Sequence, residues 1–592
     1  MHVLGISCFY HDAAAALVRD GVVVAAAEEE RFSRRKHDPR FPRRAVDFCL
    51  EHAGIAAGDL DYVVFYEKPL VKFERILTTA LRSFPRSYRS FGESMVTWLD
   101  EKLWIKAVIQ KELGTLAERI LFTDHHTAHA ASAFFCSPFA SAAVLTVDGV
   151  GEWTTTAAGT ATAAWGEGGR SAIDLARETR FPHSLGLLYS AFTAWLGFEV
   201  NEGEYKVMGM APYGEPRYQD RVRRVVRVAE DGSFRLEMDY FAFHHSTEHT
   251  YSRRFVDLFG PPRDPRAEFF TRLTHPGRAA APGELERNQY YADVAASIQR
   301  VVEDTLVAMA AHLRRSTGET RLCMAGGVAL NSVANGRILR ESGFEELYVQ
   351  PAAGDAGGAV GAALYAYHVV LGMPRAYVME HAYLGKEYGE DDARAFLDAR
   401  GVRYEVYDDE ARMLDRLTDD LLDGRAIGWS QGRFEWGPRA LGNRSILADP
   451  RREEMKAVVN EKIKLREPFR PFAPAILEER AGDFFHGIPD PARHWTARFM
   501  LAVLPWKEAE GRLAPAVNHL GTGRLQTVRR EWNPRYHGLI SRFGEATGVP
   551  VLMNTSFNLR GEPIVASPAD AFGTFCRSGL DVLVLGSVVV RR

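Results

Sequence analysis

The chain opens with an apolar run, Val3 to Cys8, then a polar turn, a second run from Ala13 to Val18 and, after Arg19-Asp20-Gly21, a third from Val22 to Ala27. Asp-Gly between two apolar runs predicts a hairpin, because these residues accept the positive φ that a tight two-residue turn needs. The plan recurs as an apolar strand over Ala142 to Val147, the turn Asp148-Gly149-Val150-Gly151-Glu152 and a Thr- and Ala-rich return over Trp153 to Trp165. Two such copies describe a weak internal repeat, of the kind whose halves face each other across a nucleotide cleft.

Between the copies, Ile120-Leu121-Phe122-Thr123 leads to Asp124, an acceptable N-cap, and alanine-rich His125 to Phe135 predicts a helix. A longer helix is predicted from about Tyr290 to Arg315, where Val294, Ile298, Val301, Val302, Leu306 and Met309 recur at helical spacing. Leu322 to Ala325 then reads as a strand, Gly326-Gly327 as a turn and the segment from Ala329 as a helix. Leu347 to Val349, Gly354-Asp355-Ala356-Gly357-Gly358 and a Gly/Ala-rich helix repeat that order. Strand, glycine turn and helix in succession indicate α/β layers. The pattern stops near Leu371-Gly372-Met373-Pro374, which sets a domain boundary near 375 and two domains, 1–375 and 376–592.

Composition narrows the class. A length of 592 residues exceeds what one core supports. With 46% hydrophobic and 25% charged residues the chain is ordinary globular protein. A formal net charge of −4 argues against tracking a nucleic-acid backbone or an anionic membrane. Five scattered cysteines without a CxxC pair fit a reducing compartment. The N-terminus lacks a secretory pattern, and no apolar run approaches the roughly 20 residues of a membrane span, so a cytoplasmic protein is expected.

The chemistry concentrates in a few places. On a helix His125 and His129 share one face, and His126 points about 100° away. Such a pair is either a set of histidines at a helix start or half of a metal site. Asp148 ends a strand before glycines, and Asp355 lies in Gly-Asp-Ala-Gly-Gly; each alone also fits a turn residue. Together the four give a nitrogen-and-oxygen donor set suited to Fe(II), Mn(II) or Zn. Gly326-Gly327, running to Asn331, joins a strand to a helix and could present amides to phosphate. Lys206, within Gly203 to Gly214, reads as part of a mobile loop at a site edge or as a solvated surface lysine.

Toward the C-terminus the strings Gly432 to Ser445 and Lys462 to Pro474 interleave Arg and Lys with Phe, Trp and Pro. Cations held by rigid neighbours suit a small phosphoryl dianion; arginines paired with buried glutamates are the other reading. Asn554-Thr555-Ser556-Phe557-Asn558 follows the apolar strand Val549 to Met553, offering hydroxyl and amide groups either to an anion or to a turn.

The strings GISCFYHDAAAAL, EEERFSRRKHD, DHHTAHAASAF, TVDGVGEW, YKVMGMAPYG, GGVALN and GDAGGA, with GPRALGNRSIL, KLREPFRPFAP and NTSFN, resemble the O-carbamoyltransferases of nodulation-factor and antibiotic biosynthesis over essentially the whole chain. The resemblance implies an α/β protein: a duplicated actin/hexokinase-like domain followed by a domain like threonylcarbamoyl-AMP synthase. It implies metal ligands His125, His129, Asp148 and Asp355, nucleotide contacts at Lys36 and the Gly326-Gly327 turn, with Lys206 and Asn331 alongside, and His11 near the transferred group. His11 also suits a plain turn cap. It further implies that carbamoyl phosphate meets Arg439, Lys464, Arg470, Arg524, Ser556 and Asn558. One departure stands out: Leu520 occupies the place where the family usually shows Asp before Gly-Thr.

The expected reaction makes carbamoyl-AMP from carbamoyl phosphate and Mg-ATP in the C-terminal domain. The carbamoyl group then passes to a hydroxyl of a small molecule at the N-terminal metal site, with His11 assisting proton removal. A tRNA threonylcarbamoyl-adenosine enzyme is the first rival, disfavoured by net charge; a non-catalytic actin-like nucleotide switch is the second. Acceptor identity and oligomeric state carry no sequence signal, and the segments 66–115 and 215–290 are the expected source of the acceptor pocket.

Overall fold

The computed structural model describes residues 1–100, 102–166 and 169–592. The chain divides into two compact units. The first comprises Met1–Phe9, Leu17–Val22 and Ile55–Val378; the second comprises Tyr10–Ala16, Val23–Gly54 and Met379–Arg592. Among the described residues no helix is long and apolar enough to cross a membrane.

Strands β1 (His2–Ser7), β2 (Ala14–Arg19), β3 (Val22–Glu28), β4 (Tyr62–Phe65) and β5 (Ile120–Phe122) form a sheet in the order β3-β2-β1-β4-β5. Strands β6 (Ser141–Val147), β7 (Thr154–Thr162) and β8 (Ala172–Arg180) follow. After a small ribbon of β9 (Val226–Val228) and β10 (Phe234–Leu236) come β11 (Arg321–Ala325) and β12 (Glu346–Val349). Strands β8, β7, β6, β11 and β12 lie in that order, so both sheets share one arrangement: a two-hairpin meander extended by two parallel strands. The two sheets are therefore duplicates in topology, although the two Gly/Asp turns are not equivalent in them: Asp20-Gly21 joins β2 to β3, and the turn from Asp148 joins β6 to β7. The first turn has the expected geometry, with Asp20 at φ 49° and Gly21 at φ 82°.

The helix His125–Phe134 is almost wholly buried, as is Asp355–Tyr365, and the two pack face to face. Small residues make this approach possible: a Cβ on Gly361 would stand 1.8 Å from the Ala128 carbonyl oxygen. The long helix runs Glu284–Thr317, extending the predicted span at both ends to glycines in the left-handed conformation, Gly283 and Gly318. The segment after Gly326-Gly327 departs from expectation. It is a short 3-10 turn, Gly327–Leu330, and the helix proper starts at Ser332, because the Asn331 side chain caps it by accepting from Ala334 N.

The second unit is built on a mixed sheet. Its strands are β13 (Glu405–Val406), β14 (Ile427–Ser430), β15 (Arg444–Ala448), β16 (Ala473–Leu477), β19 (Gln526–Val528), β20 (Val551–Ser556), β21 (Val582–Leu585) and β22 (Val588–Arg591), with a separate ribbon of β17 (Val503–Pro505) and β18 (Thr522–Arg524). The order is β13-β22-β21-β14-β15-β20-β16-β19. Apolar clusters cover both faces, one around Trp429, Leu539 and Phe543 and the other around Phe472, Ile476 and Phe557. This explains the near-continuous apolar runs of the central strands. β20 reaches Ser556, beyond the expected end at Met553, because Asn554 to Ser556 still pair with Ser445 to Leu447 of β15.

Candidate active sites in the two units

In the first unit His125, His129, Asp148 and Asp355 converge, each buried, with one donor atom of each within 4.8 Å of all the others. His125 Nε2 lies 3.0 Å from His129 Nε2, 3.3 Å from Asp148 Oδ2 and 3.5 Å from Asp355 Oδ1. His129 Nε2 lies 3.9 Å from Asp148 Oδ2 and 3.8 Å from Asp355 Oδ1. With metal–ligand bonds of about 2.1 Å, neighbouring ligand atoms stand about 3.0 Å apart in an octahedron and about 3.4 Å apart in a tetrahedron. The four donors are thus spaced as ligands of one metal ion would be. His126 turns away, as its spacing requires, with Nδ1 2.7 Å from Thr146 Oγ1.

The electrostatics agree. Burial works against a charged His125, but Asp355, Asp148 and Glu67 override it and hold its pKa well above the usual imidazole value. Burial would likewise raise the Asp148 carboxyl, yet the two imidazoles keep it well below the carboxylate range. Two imidazoles facing two carboxylates favour positive charge between them, as a proton or as a cation.

Surrounding residues orient the donors. Gly327 N donates to Asp148 Oδ1 at 2.8 Å, and Tyr66 Oη to Asp355 Oδ2 at 3.4 Å, so each aspartate turns its other oxygen to the histidines. Glu67 sits 3.6 Å behind His125 Nδ1 and is itself held at 2.6 Å by Lys72, a carboxylate backing an imidazole. Asp124 occupies the N-cap position but its side chain makes no cap; it pairs with Lys68 instead. The Glu152 carboxylate does that work, accepting from His125 N at 3.0 Å and from Lys68 N at 2.8 Å. Glu67 and Glu152 carry no spacing signal of their own, although Glu67 lies two residues past the strand end Phe65 and Asp148 one residue past β6.

Other first-unit candidates have different surroundings. Gly326, at φ 94°, packs where a Cβ would meet Val147 O at 2.3 Å, so this turn seats the end of β6 and its second amide serves Asp148. The Asn331 amide donates to Gln299 Oε1. Lys206 is not in a mobile loop: it is buried in the helix Glu204–Met210, over the Phe198 ring at 5.6 Å. The glycine before that helix marks close packing, since a Cβ on Gly203 would meet Phe198 Cβ at 2.5 Å.

In the second unit Lys464 Nζ donates to Ser556 O at 2.7 Å, Ser556 Oγ at 3.1 Å and Asn558 O at 2.8 Å, and reaches Asn558 Oδ1. Burial, with Arg466, Arg470 and Lys36 nearby, holds its pKa well below the usual lysine value. Burial, then Arg439 and Arg470, do the same to Arg524, whose Nε is buried without a hydrogen-bond partner among the described residues. Arg439, Lys464, Arg470 and Arg524 thus form one cationic cluster, edged by Ser556 and Asn558 and approached by Lys36. Leu520 sits exposed with φ 51°, followed by Gly521 at φ 86°, at the tip of the turn before β18. Also in this unit, His11 Nδ1 lies 2.9 Å from Asp12 Oδ2, and Asp12 Oδ1 lies 2.6 Å from His37 Nδ1.

Two relatives named for an activity, both 3'-hydroxymethylcephem-O-carbamoyltransferases, are transferases. The Carbamoyltransferase N-terminus family model matches residues 2–364 and the Carbamoyltransferase C-terminus model residues 418–592. The chain therefore belongs to the carbamoyltransferase family, and it is a carbamoyltransferase. It is 45% identical to the Synechocystis protein sll1178, over 100% of this chain and 97% of that one. It is 39% identical to the nodulation protein NolNO of Sinorhizobium fredii, over 99% of this chain and 79% of that one. It is also 36% identical to the 3'-hydroxymethylcephem-O-carbamoyltransferase of Amycolatopsis lactamdurans, over 46% of this chain and 49% of that one.

Proposed function

We propose that the protein carbamoylates a hydroxyl group of a small molecule, using carbamoyl phosphate and ATP as donors and carbamoyl-AMP as the intermediate. The observation that carries the reading is Arg524: its Nε is buried without a hydrogen-bond partner among the described residues, and burial with the charges of Arg439 and Arg470 holds its pKa well below the usual arginine value, an arrangement that calls for a bound dianion. Carbamoyl phosphate, ATP and water would give carbamoyl-AMP, pyrophosphate and phosphate there, with the cations offsetting charge on the phosphoryl oxygens.

The acceptor oxygen then bonds to the carbamoyl carbon, the carbamoyl bond to AMP breaks, and AMP leaves with the electron pair. His125, His129, Asp148 and Asp355 would hold a divalent ion, Fe(II), Mn(II) or Zn, which supplies Lewis-acid charge at that step. The segments 66–115 and 215–290 would shape the acceptor pocket. They touch each other through Ser90 Oγ and His245 O at 3.0 Å and through Arg89 and Glu248 at 3.0 Å.

The deciding experiment incubates the metal-loaded protein with ATP, Mg²⁺ and carbamoyl phosphate. Pyrophosphate and carbamoyl-AMP are expected; their absence would overturn the reading. Carbamoyl transfer to threonyl-adenosine in tRNA would instead favour the RNA-modifying rival, which the net charge of −4 opposes.

A further inference from the structure

The strip from Glu28 to Lys36 lies near the start of the chain, yet it belongs to the second unit. Its buried charges meet the loops that carry the cationic cluster. Glu28 Oε1 accepts from Gly437 N at 2.8 Å, and Arg31 Nη2 donates to Gly437 O at 2.6 Å, so the two side chains hold both polar groups of one residue. Arg31 Nε stands 3.7 Å from Glu28 Oε2, and the pair is almost sealed, at 1% and 6% exposure. Gly437 has φ 101°, a conformation that a side chain opposes.

Arg439 follows two residues later. The far side of the same loop is held by Glu435 Oε1, which accepts from Leu441 N, Asn443 N and Arg444 N. The loop is therefore tied at both ends, and its near tie is the Glu28–Arg31 pair. Arg34 makes a parallel contact with the loop beyond Asn558, donating to Pro563 O at 2.9 Å and Ile564 O at 2.6 Å and pairing with Asp570.

A buried ion pair is a poor way to gain stability, since apolar residues of like volume do as well or better. Burial pushes the Glu28 carboxyl up to about 7 against the pull of Arg31, which shows that cost. What such a pair does supply is direction: a carboxylate and a charged fork fix the orientation of the two successive peptides that meet at Gly437. We propose that Glu28 and Arg31 are positioning residues that lock the two peptides meeting at Gly437 and thereby set Arg439 in the carbamoyl phosphate subsite. The proposal rests on the reading of the cationic cluster given above.

The test is a double-mutant cycle on the full-length protein, with carbamoyl phosphate titrated by calorimetry. Arg439→Ala and Arg31→Ala are each expected to raise the Kd about tenfold. The double variant is expected to bind no more weakly than Arg439→Ala alone, because Arg31 acts through Arg439. A purely structural Arg31 would give multiplying effects, and that result, or an unchanged Kd in Arg31→Ala, overturns the proposal. An unchanged Kd in Arg439→Ala would instead overturn the reading of the cluster, and the proposal with it. Should Arg31→Ala fail to fold, Glu28→Gln keeps an oxygen acceptor for Gly437 N and runs the same cycle. A rise in Kd of about threefold that vanishes in the Arg439→Ala background is expected.

Discussion

Gly361 faces the carbonyl oxygen of Ala128 so closely that an added methyl carbon would lie 1.8 Å from it. Asp355 stands at the head of one of these helices, and His125 and His129 lie on the other, so the close approach sets the spacing of the donor set. Gly361→Ala should force the helices apart at a cost of about 3 kcal/mol or more. Bound metal should fall together with the Tm; metal content by mass spectrometry on the purified variant checks this, and full retention would contradict it.

His125→Ala and His129→Ala each remove one nitrogen from a four-donor set. Both variants are expected to lose tightly bound metal and carbamoyl transfer, while carbamoyl phosphate-dependent pyrophosphate release persists. Loss of both half-reactions in a folded variant would refute that division of labour between the units.

Arg524→Gln removes a cation that other cations oppose. In ligand-free protein it should raise stability, by on the order of 1 kcal/mol, while abolishing carbamoyl phosphate-dependent pyrophosphate release. A melting curve and a pyrophosphate assay on one preparation suffice. A lower Tm would mean that Arg524 is a structural residue.

His368 is 1% exposed, and burial lowers its pKa from 6.5 to about 4. Between those values the unfolded chain takes up a proton that the native one refuses. Its contribution to stability is therefore complete above pH 6.5 and is lost as pH falls toward 4, by on the order of 3 kcal/mol in full. His368→Gln should show a shallower fall in urea midpoint between pH 7 and pH 4.5 than the parent; parallel slopes would disprove the assignment.

The features legible in the sequence are those with local periodicity. A strand-end aspartate, an aspartate in a glycine turn and an i, i+4 histidine pair mark Asp148, Asp355, His125 and His129, because strand and helix geometry fixes where such side chains go. The pairs Asp20-Gly21 and Gly326-Gly327 mark turns for the same reason. The burial of Lys206 is not legible in the sequence because glycine signals both mobility and tight packing, and only the neighbours of Gly203 decide between them. Glu152 capping the helix at His125, and Glu28 with Arg31 holding Gly437, were illegible because they join residues remote along the chain, and no spacing rule reports such pairs.

The second unit draws on two stretches near the amino terminus, Tyr10–Ala16 and Val23–Gly54. For anyone building hybrid enzymes, this makes the halves unsuitable as interchangeable cassettes. A carboxy-terminal graft taken from one homologue would inherit the other parent's Glu28, Arg31, Arg34 and Lys36, so its donor chemistry would depend on residues the swap never touched. Productive chimaeras need crossover points that carry those early stretches along with the carboxy-terminal part.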